Sequence, residues 1–195
     1  MKTTRSYSMT TRARSTEQTR ARILRATIDL HLERPAVTIA LDDIAGRAEV
    51  SVQTVLRHFG SREALVEAAT QQARQEVREE RRTPVGDVAA AVEVLMSHYE
   101  ARGDSVLVLL AQEDTEAFAA GITAGGKELH RTWVAETFAP YLAHDDDQSL
   151  LDLLVVATDV YTWKLLRRDR SLSRAATTAR ITRLVAALLP EPGTE

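Results

Sequence analysis

Gln53, Thr54, Arg57 and His58 sit close together in the segment SVQTVLRHF, interleaved with apolar Val52, Val55, Leu56 and Phe59. These polar types recognise rather than make bonds. A Gln amide can form a bidentate pair with adenine, and an Arg fork can pair with guanine or a phosphate. Thr54 can reach a phosphate or offer its methyl group to thymine, and His58 can donate to a phosphate. Ser51 is placed to cap the helix that carries them and to leave its N-terminus facing an anion. Val55 and Phe59 are expected to face a core, while Val52 can either pack or touch a thymine methyl. The chemistry is hydrogen-bond readout of duplex DNA.

Such readout needs a support. Residues 41–62, LDDIAGRAEVSVQTVLRHFGSR, read as two short helices around a break at Ala48-Glu49-Val50, the pattern of a helix-turn-helix. A helix from about Glu17 precedes them, with an apolar stripe of Ile23, Leu24, Ala26, Ile28 and Leu30, and Pro35 limits its extent. The spacing predicts helices over about 40–48, 51–58 and 62–82. Further helices are expected over 85–102, stopped by Gly103-Asp104, then 105–117, 125–143, 149–168 and 175–189. Residues 1–16, polar and without period, are expected to form a disordered basic arm whose Arg5, Arg12 and Arg14 could track phosphates. The charged stretch Arg74–Arg82 reads as a solvated connector, Gly121–Gly126 as a loop, and His144–Asp147 as a solvated turn. No segment alternates as a strand does.

Composition narrows the function further. The chain of 195 residues is 44% apolar and has no Cys, which excludes disulfide frameworks and cysteine metal sites. No apolar run approaches the roughly 18–20 residues that span a membrane, and no signal segment is evident, so a cytoplasmic protein is expected. The net charge of −3 hides an asymmetry: residues 1–62 hold 11 Lys/Arg against 6 Asp/Glu, and residues 63–195 hold 14 against 22. A basic end on an acidic body suits a protein that presents one end to a polyanion. There is no HExxH, no Cys nucleophile and no glycine-rich phosphate loop after a strand, so no enzyme, metal or cofactor is implied.

Taken together, residues 22–65 resemble the N-terminal domain of the tetracycline-repressor-like (TetR) family of transcriptional regulators. The resemblance rests on Ile23-Leu24 and Leu30, Asp43-Ile44-Ala45, Val50-Ser51, Thr54, His58-Phe59 and Ser61-Arg62-Glu63-Ala64-Leu65. It implies an all-α fold of about nine helices: a helix-turn-helix domain over 17–65 and a ligand-binding and dimerisation domain over 66–195. It implies double-stranded DNA, a small-molecule effector and a second copy of the chain as partners, and usually repression. The DNA-binding residues it implies are Thr38, Ser51, Val52, Gln53, Thr54, Arg57, His58 and Arg62, with Arg62 gripping the backbone where the family usually has Lys. The chain departs from the family at Glu49 (usually Gly), Leu56 (usually a phosphate-binding Tyr), His31 (usually an aromatic), Pro35 (usually Gly) and Ile39-Ala40 (usually a Thr pair).

Candidates for lining an effector cavity are Met96, Tyr99, Leu107, Leu110, Phe118, Trp133, Phe138 and Trp163, with His98, Glu113 and His130 as polar groups. Residues 150–166 are apolar nearly all round, which suggests burial by a second subunit, with a core helix of the same chain as the alternative. The expected interface is Leu154, Ala157, Tyr161 and Leu165 with Ile181, Leu184, Val185 and Leu188. A helical ligand-binding or scaffold dimer with a degenerate reading head is the rival reading, supported by Glu49 and Leu56.

Overall fold

The structure is a computed structural model that describes residues 4–143 and 148–189, without the side chains of residues 4–12, 117 and 118. The expected turn at His144–Asp147, the terminal Pro190 and Pro192, and the Phe118 side chain lie outside the described residues. Among the described residues there are helices and no strands. The chain divides into two compact units, residues 1–73 and 74–195, later than the expected boundary at 65/66.

The first unit comprises α1 (Thr4–Glu33), a 3-10 turn (Ala36–Thr38), α2 (Leu41–Arg47), α3 (Val52–Phe59) and the start of α4 (Arg62–Glu80). Its core gathers Ile23, Leu24, Ala26, Ile28 and Leu30 of α1 with Ile39, Ile44, Ala45, Ala48, Val55, Leu65 and Ala69. Residues 4–16 of the expected disordered arm are helical instead, because α1 reaches back to Thr4. No Pro or Gly interrupts residues 4–33, and a helix nucleated by its packed half extends at little cost per residue. The Arg34 N–H donates to the Leu30 carbonyl at 3.1 Å. Pro35 then ends the helix.

The second unit is built round α5 (Val88–Leu110), which packs against α6 (Ala117–Thr137), α8 (Val160–Lys164) and α9 (Arg174–Leu188); α7 (Ser149–Ala157) packs on α6 and α9. One core joins Val92, Leu95, Met96 and Tyr99 to Val134, Phe138, Leu154, Trp163, Ile181 and Val185. Two expected breaks are absent, and a third break appears where none was expected. α5 runs straight through Gly103, because that glycine is a notch: a Cβ there would lie 2.6 Å from the Trp163 ring. The expected loop at Gly121–Gly126 is part of α6, and a Cβ at Gly125 would collide with the Arg74 guanidinium. The expected single helix 149–168 is interrupted instead. Thr158 Oγ1 donates to the Leu154 carbonyl, and Asp159 caps α8 by accepting the Tyr161 N–H at 2.8 Å. A π-helical turn, Leu165–Asp169, follows α8.

The expected interface divides in two. Leu154, Ala157, Ile181 and Val185 are buried in the chain's own core, so they are not surface residues, and Leu188 packs partly against that core. The i, i+4 stripe on α9 faces inward, and the all-round apolar segment is already covered on one side. What remains exposed is Leu153, Val156 (63%), Tyr161 (53%), Leu165 (56%) and Leu184. Replacing Gly103 by Ala should cost about 1–3 kcal/mol, since the indole must move from a close-packed site. Urea unfolding of the two proteins measures it, and equal midpoints would mean that Trp163 shifts aside freely.

Candidate functional site

The reading helix is placed by the turn before it. Ala40, at the N-cap of α2, has no side-chain acceptor, and Asp43 compensates by accepting the Ala40 N–H at 2.8 Å. That bond, with the Arg34 guanidinium 2.9 Å away, holds the Asp43 carboxyl below its usual range. After α2 the Val50 N–H reaches back to the Ala45 carbonyl (2.9 Å) and the Glu49 N–H to the Gly46 carbonyl (3.2 Å). This is a Schellman closure, whose penultimate residue must be left-handed. Glu49 fills that place with φ 55°, where a side chain costs about 1–2 kcal/mol. Its carboxylate lies 3.9 Å from Arg22 and is well exposed.

α3 is fixed at both ends and along one face. The Ser51 hydroxyl accepts the Thr54 N–H at 3.1 Å, and Gly60 (φ 81°) closes the other end by donating to the Leu56 carbonyl at 2.7 Å. Val55 is fully buried, and Val52 and Phe59 pack partly against the same core. Val52 therefore packs. The Arg20 guanidinium lies 4.5 Å above the Phe59 ring. Gln53, Leu56 and Arg57 are exposed on the other side, with Thr54 and His58 half-buried beside them. Arg57 touches its own helix only through a 3.5 Å contact to Thr54 Oγ1.

The other arginines of this unit are largely spent on the fold. Arg47 makes a two-pronged pair with Glu33 (2.9 and 2.8 Å), and the Glu33 carboxyl is held below its usual range. Arg62, expected to grip the DNA backbone, donates from Nη2 to the carbonyls of Ala36 and Ile39, each at 3.2 Å. It ties the start of α4 to the turn before α2. The Thr38 hydroxyl is turned onto the Pro35 carbonyl at 2.7 Å. His31 is a packed histidine: its Nδ1 donates to the Thr27 carbonyl at 2.7 Å, and burial lowers its pKa.

Residues 23–69 match the family model of bacterial regulatory proteins of the tetR family. The N-terminal unit carries the tetR-family domain. Beyond that domain the fold is similar to that of solved transcriptional regulators. A transcriptional regulator from Rhodococcus sp. Rha1 is 17% identical with a TM-score of 0.63, over 87% of this chain and 95% of that one. A tetR-family transcriptional regulator from Streptomyces coelicolor is 19% identical with a TM-score of 0.64, over 88% and 80%. Salmonella enterica GusR is 21% identical with a TM-score of 0.62, over 88% and 95%. No curated protein matches the sequence.

In the second unit the cavity candidates Met96, Tyr99, Leu110, Trp133, Phe138 and Trp163 all lie in the packed core, with Leu107 at its edge. Glu113 instead forms an ion pair with Lys127 at 2.7 Å. His98 pairs with Glu80 at 3.3 Å; burial and the charge of Arg81 push it down to about 3. His130 joins a buried network that centres on Arg81, a residue expected to be solvated. Arg81 Nη1 donates to His130 Nδ1 at 3.1 Å. His130 Nε2 donates to Thr158 Oγ1 at 3.2 Å, which fixes the neutral tautomer. The Trp133 indole N–H donates to the Arg81 carbonyl (2.8 Å) and the Tyr99 hydroxyl to the Thr158 carbonyl (2.9 Å). Burial first, then Arg81, push His130 to about 4. The sole sequence signal for Arg81 is its spacing from Arg74 and Val77, at i, i+3, i+7 on one helix face.

Among the described residues no cluster of His, Cys, Asp and Glu could hold a metal ion, and no helix is long and apolar enough to cross a membrane. Glu49→Gly should raise stability by up to about 1 kcal/mol, because glycine takes the left-handed turn without strain while its own chain entropy offsets part of the gain. Urea unfolding checks it. A lower midpoint would show that the Arg22 contact outweighs the strain.

Proposed function

We propose that this protein is a non-enzymatic, cytoplasmic transcriptional repressor that binds a palindromic operator as a homodimer and leaves it when a small molecule binds the second unit. The observation that carries the reading is the presented face of α3 within a tetR-family domain. Gln53, Thr54 and Arg57 lie there on a helix whose other face is anchored by Val55. Gln53 and Arg57 read base edges, and Ser51, Thr54 and His58 serve phosphates. The exposed Leu153, Val156, Tyr161, Leu165 and Leu184 support self-association, which leaves two reading helices to meet half-sites about 34–36 Å apart. The effector acts by binding one of two conformations better than the other.

The alternative, a helical ligand-binding or scaffold dimer with a degenerate reading head, is favoured by two observations. Leu56 offers an exposed apolar side chain on the face that would meet DNA, and Arg62 is turned inward.

Selection of bound duplexes from a random pool decides between them. A palindromic consensus, with binding that falls steeply as salt rises, is the expected result. Absent or salt-insensitive binding would establish the alternative. On the selected duplex, Arg57→Ala should cost about 1–3 kcal/mol and relax preference at one base pair; a uniform loss over all sequences would mean that Arg57 grips phosphate. Leu165→Glu should convert a dimer to a monomer in sedimentation, and a dimer that persists would move the interface elsewhere.

A further inference from the structure

Arg81 is a buried guanidinium in the second unit, only 6% exposed. Among the described residues its polar contacts are the neutral ring of His130, the phenol of Tyr99 and ring faces; no carboxylate pairs with it. The rings of Tyr99 and Trp133 stand 5.5 and 5.8 Å from its centre. Its Nε–H is buried without a partner. Of the nearby carboxylates, Glu80 is engaged by Arg102 and His98, and Asp159, which accepts the Tyr161 N–H at the start of α8, acts on Arg81 through space without reaching ion-pair distance. A buried cation is costly unless an anion compensates it, and contacts with ring faces repay a part only.

We infer that Arg81 holds the anionic head of the effector, a monocarboxylate with an apolar or aromatic body. This rests on the reading that the second unit takes a small molecule. The side-on edge of a guanidinium, Nε with one Nη, matches the two oxygens of a carboxylate. The hydroxyls of Tyr99 and Thr158 have no donor to spare, since Tyr99 donates to the Thr158 carbonyl and Thr158 to the Leu154 carbonyl. A small charged head on an apolar body needs a cationic donor, and the buried Arg81 Nε–H is one without a partner. The rings of Tyr99 and Trp133 beside the guanidinium are the surfaces that an apolar body would meet. Arg74, two turns earlier on the same face of α4, also lies against α6, at Gly125, and adds positive potential. Arg81 follows the last turn of α4, its N–H donating to the Val77 carbonyl at 3.0 Å, so the anion engages the end of the helix whose first turns supply Leu65 and Ala69 to the N-terminal core.

The test uses the full chain with benzoate, phenylacetate and hexanoate, each beside its neutral amide at equal concentration and ionic strength. At least one acid should raise the melting temperature while its amide does not. Arg81→Met should lose this acid-specific shift, with affinity in calorimetry weakened by about tenfold or more, and Arg81→Lys should retain part of it. Equal shifts from acid and amide, no shift from any of the three acids, or an undiminished shift in Arg81→Met would overturn the inference. Binding of the wild-type chain to its selected duplex is measured alongside. Intact DNA binding with no acid-specific effect overturns the Arg81 site alone, and absent DNA binding overturns the regulator reading.

Discussion

An eight-residue helix has no stability of its own in water, and the reading surface of this protein is one. Everything in the first unit answers that constraint. Ser51 and Gly60 complete the helix's unpaired backbone groups, Val55 fastens it to the core, and Phe59 lies beneath Arg20. The preceding turn sets the angle at which it leaves α2, and it does so with Glu49 in a conformation that a glycine would adopt without strain. The polar face is thus held by apolar and backbone interactions on every other side.

Charge is used in the same way. The first 62 residues are basic on balance, yet much of that excess is internal. Arg34 and Arg47 tie α2 to the end of α1, and Arg62 holds the carbonyls of the turn between them. Positive charge in a sequence becomes attraction for a polyanion only where geometry leaves it outward. On α3 that place is Arg57, beside amide and hydroxyl groups suited to base edges.

The helix-turn-helix was legible in the sequence because its signals are local: Ser51 as a cap, apolar residues at 52, 55 and 59, and the positive-φ demand at residue 49. The second unit was less so, since its decisive features are contacts between distant segments. Gly103 looks like a helix stop until Trp163 is seen to fill the space beside it. Leu154, Ile181 and Val185 have the pattern of a seam, and no pattern says whether the other side of a seam is the same chain. Arg81 sits in a run of charges that reads as solvated, and only its neighbours on α5 and α6 bury it. Residues 4–16 carry no amphipathic period, so the helix they continue is set by what lies C-terminal to them.

Both tryptophans of the chain, Trp133 and Trp163, belong to the second unit and are buried there. Indole emission is therefore blind to the reading head. It reports on the surroundings of Arg81 and of the Gly103 notch, while far-ultraviolet circular dichroism weights the helices of both units. Whether the two signals melt together is a direct measure of how far the units unfold as one cooperative body.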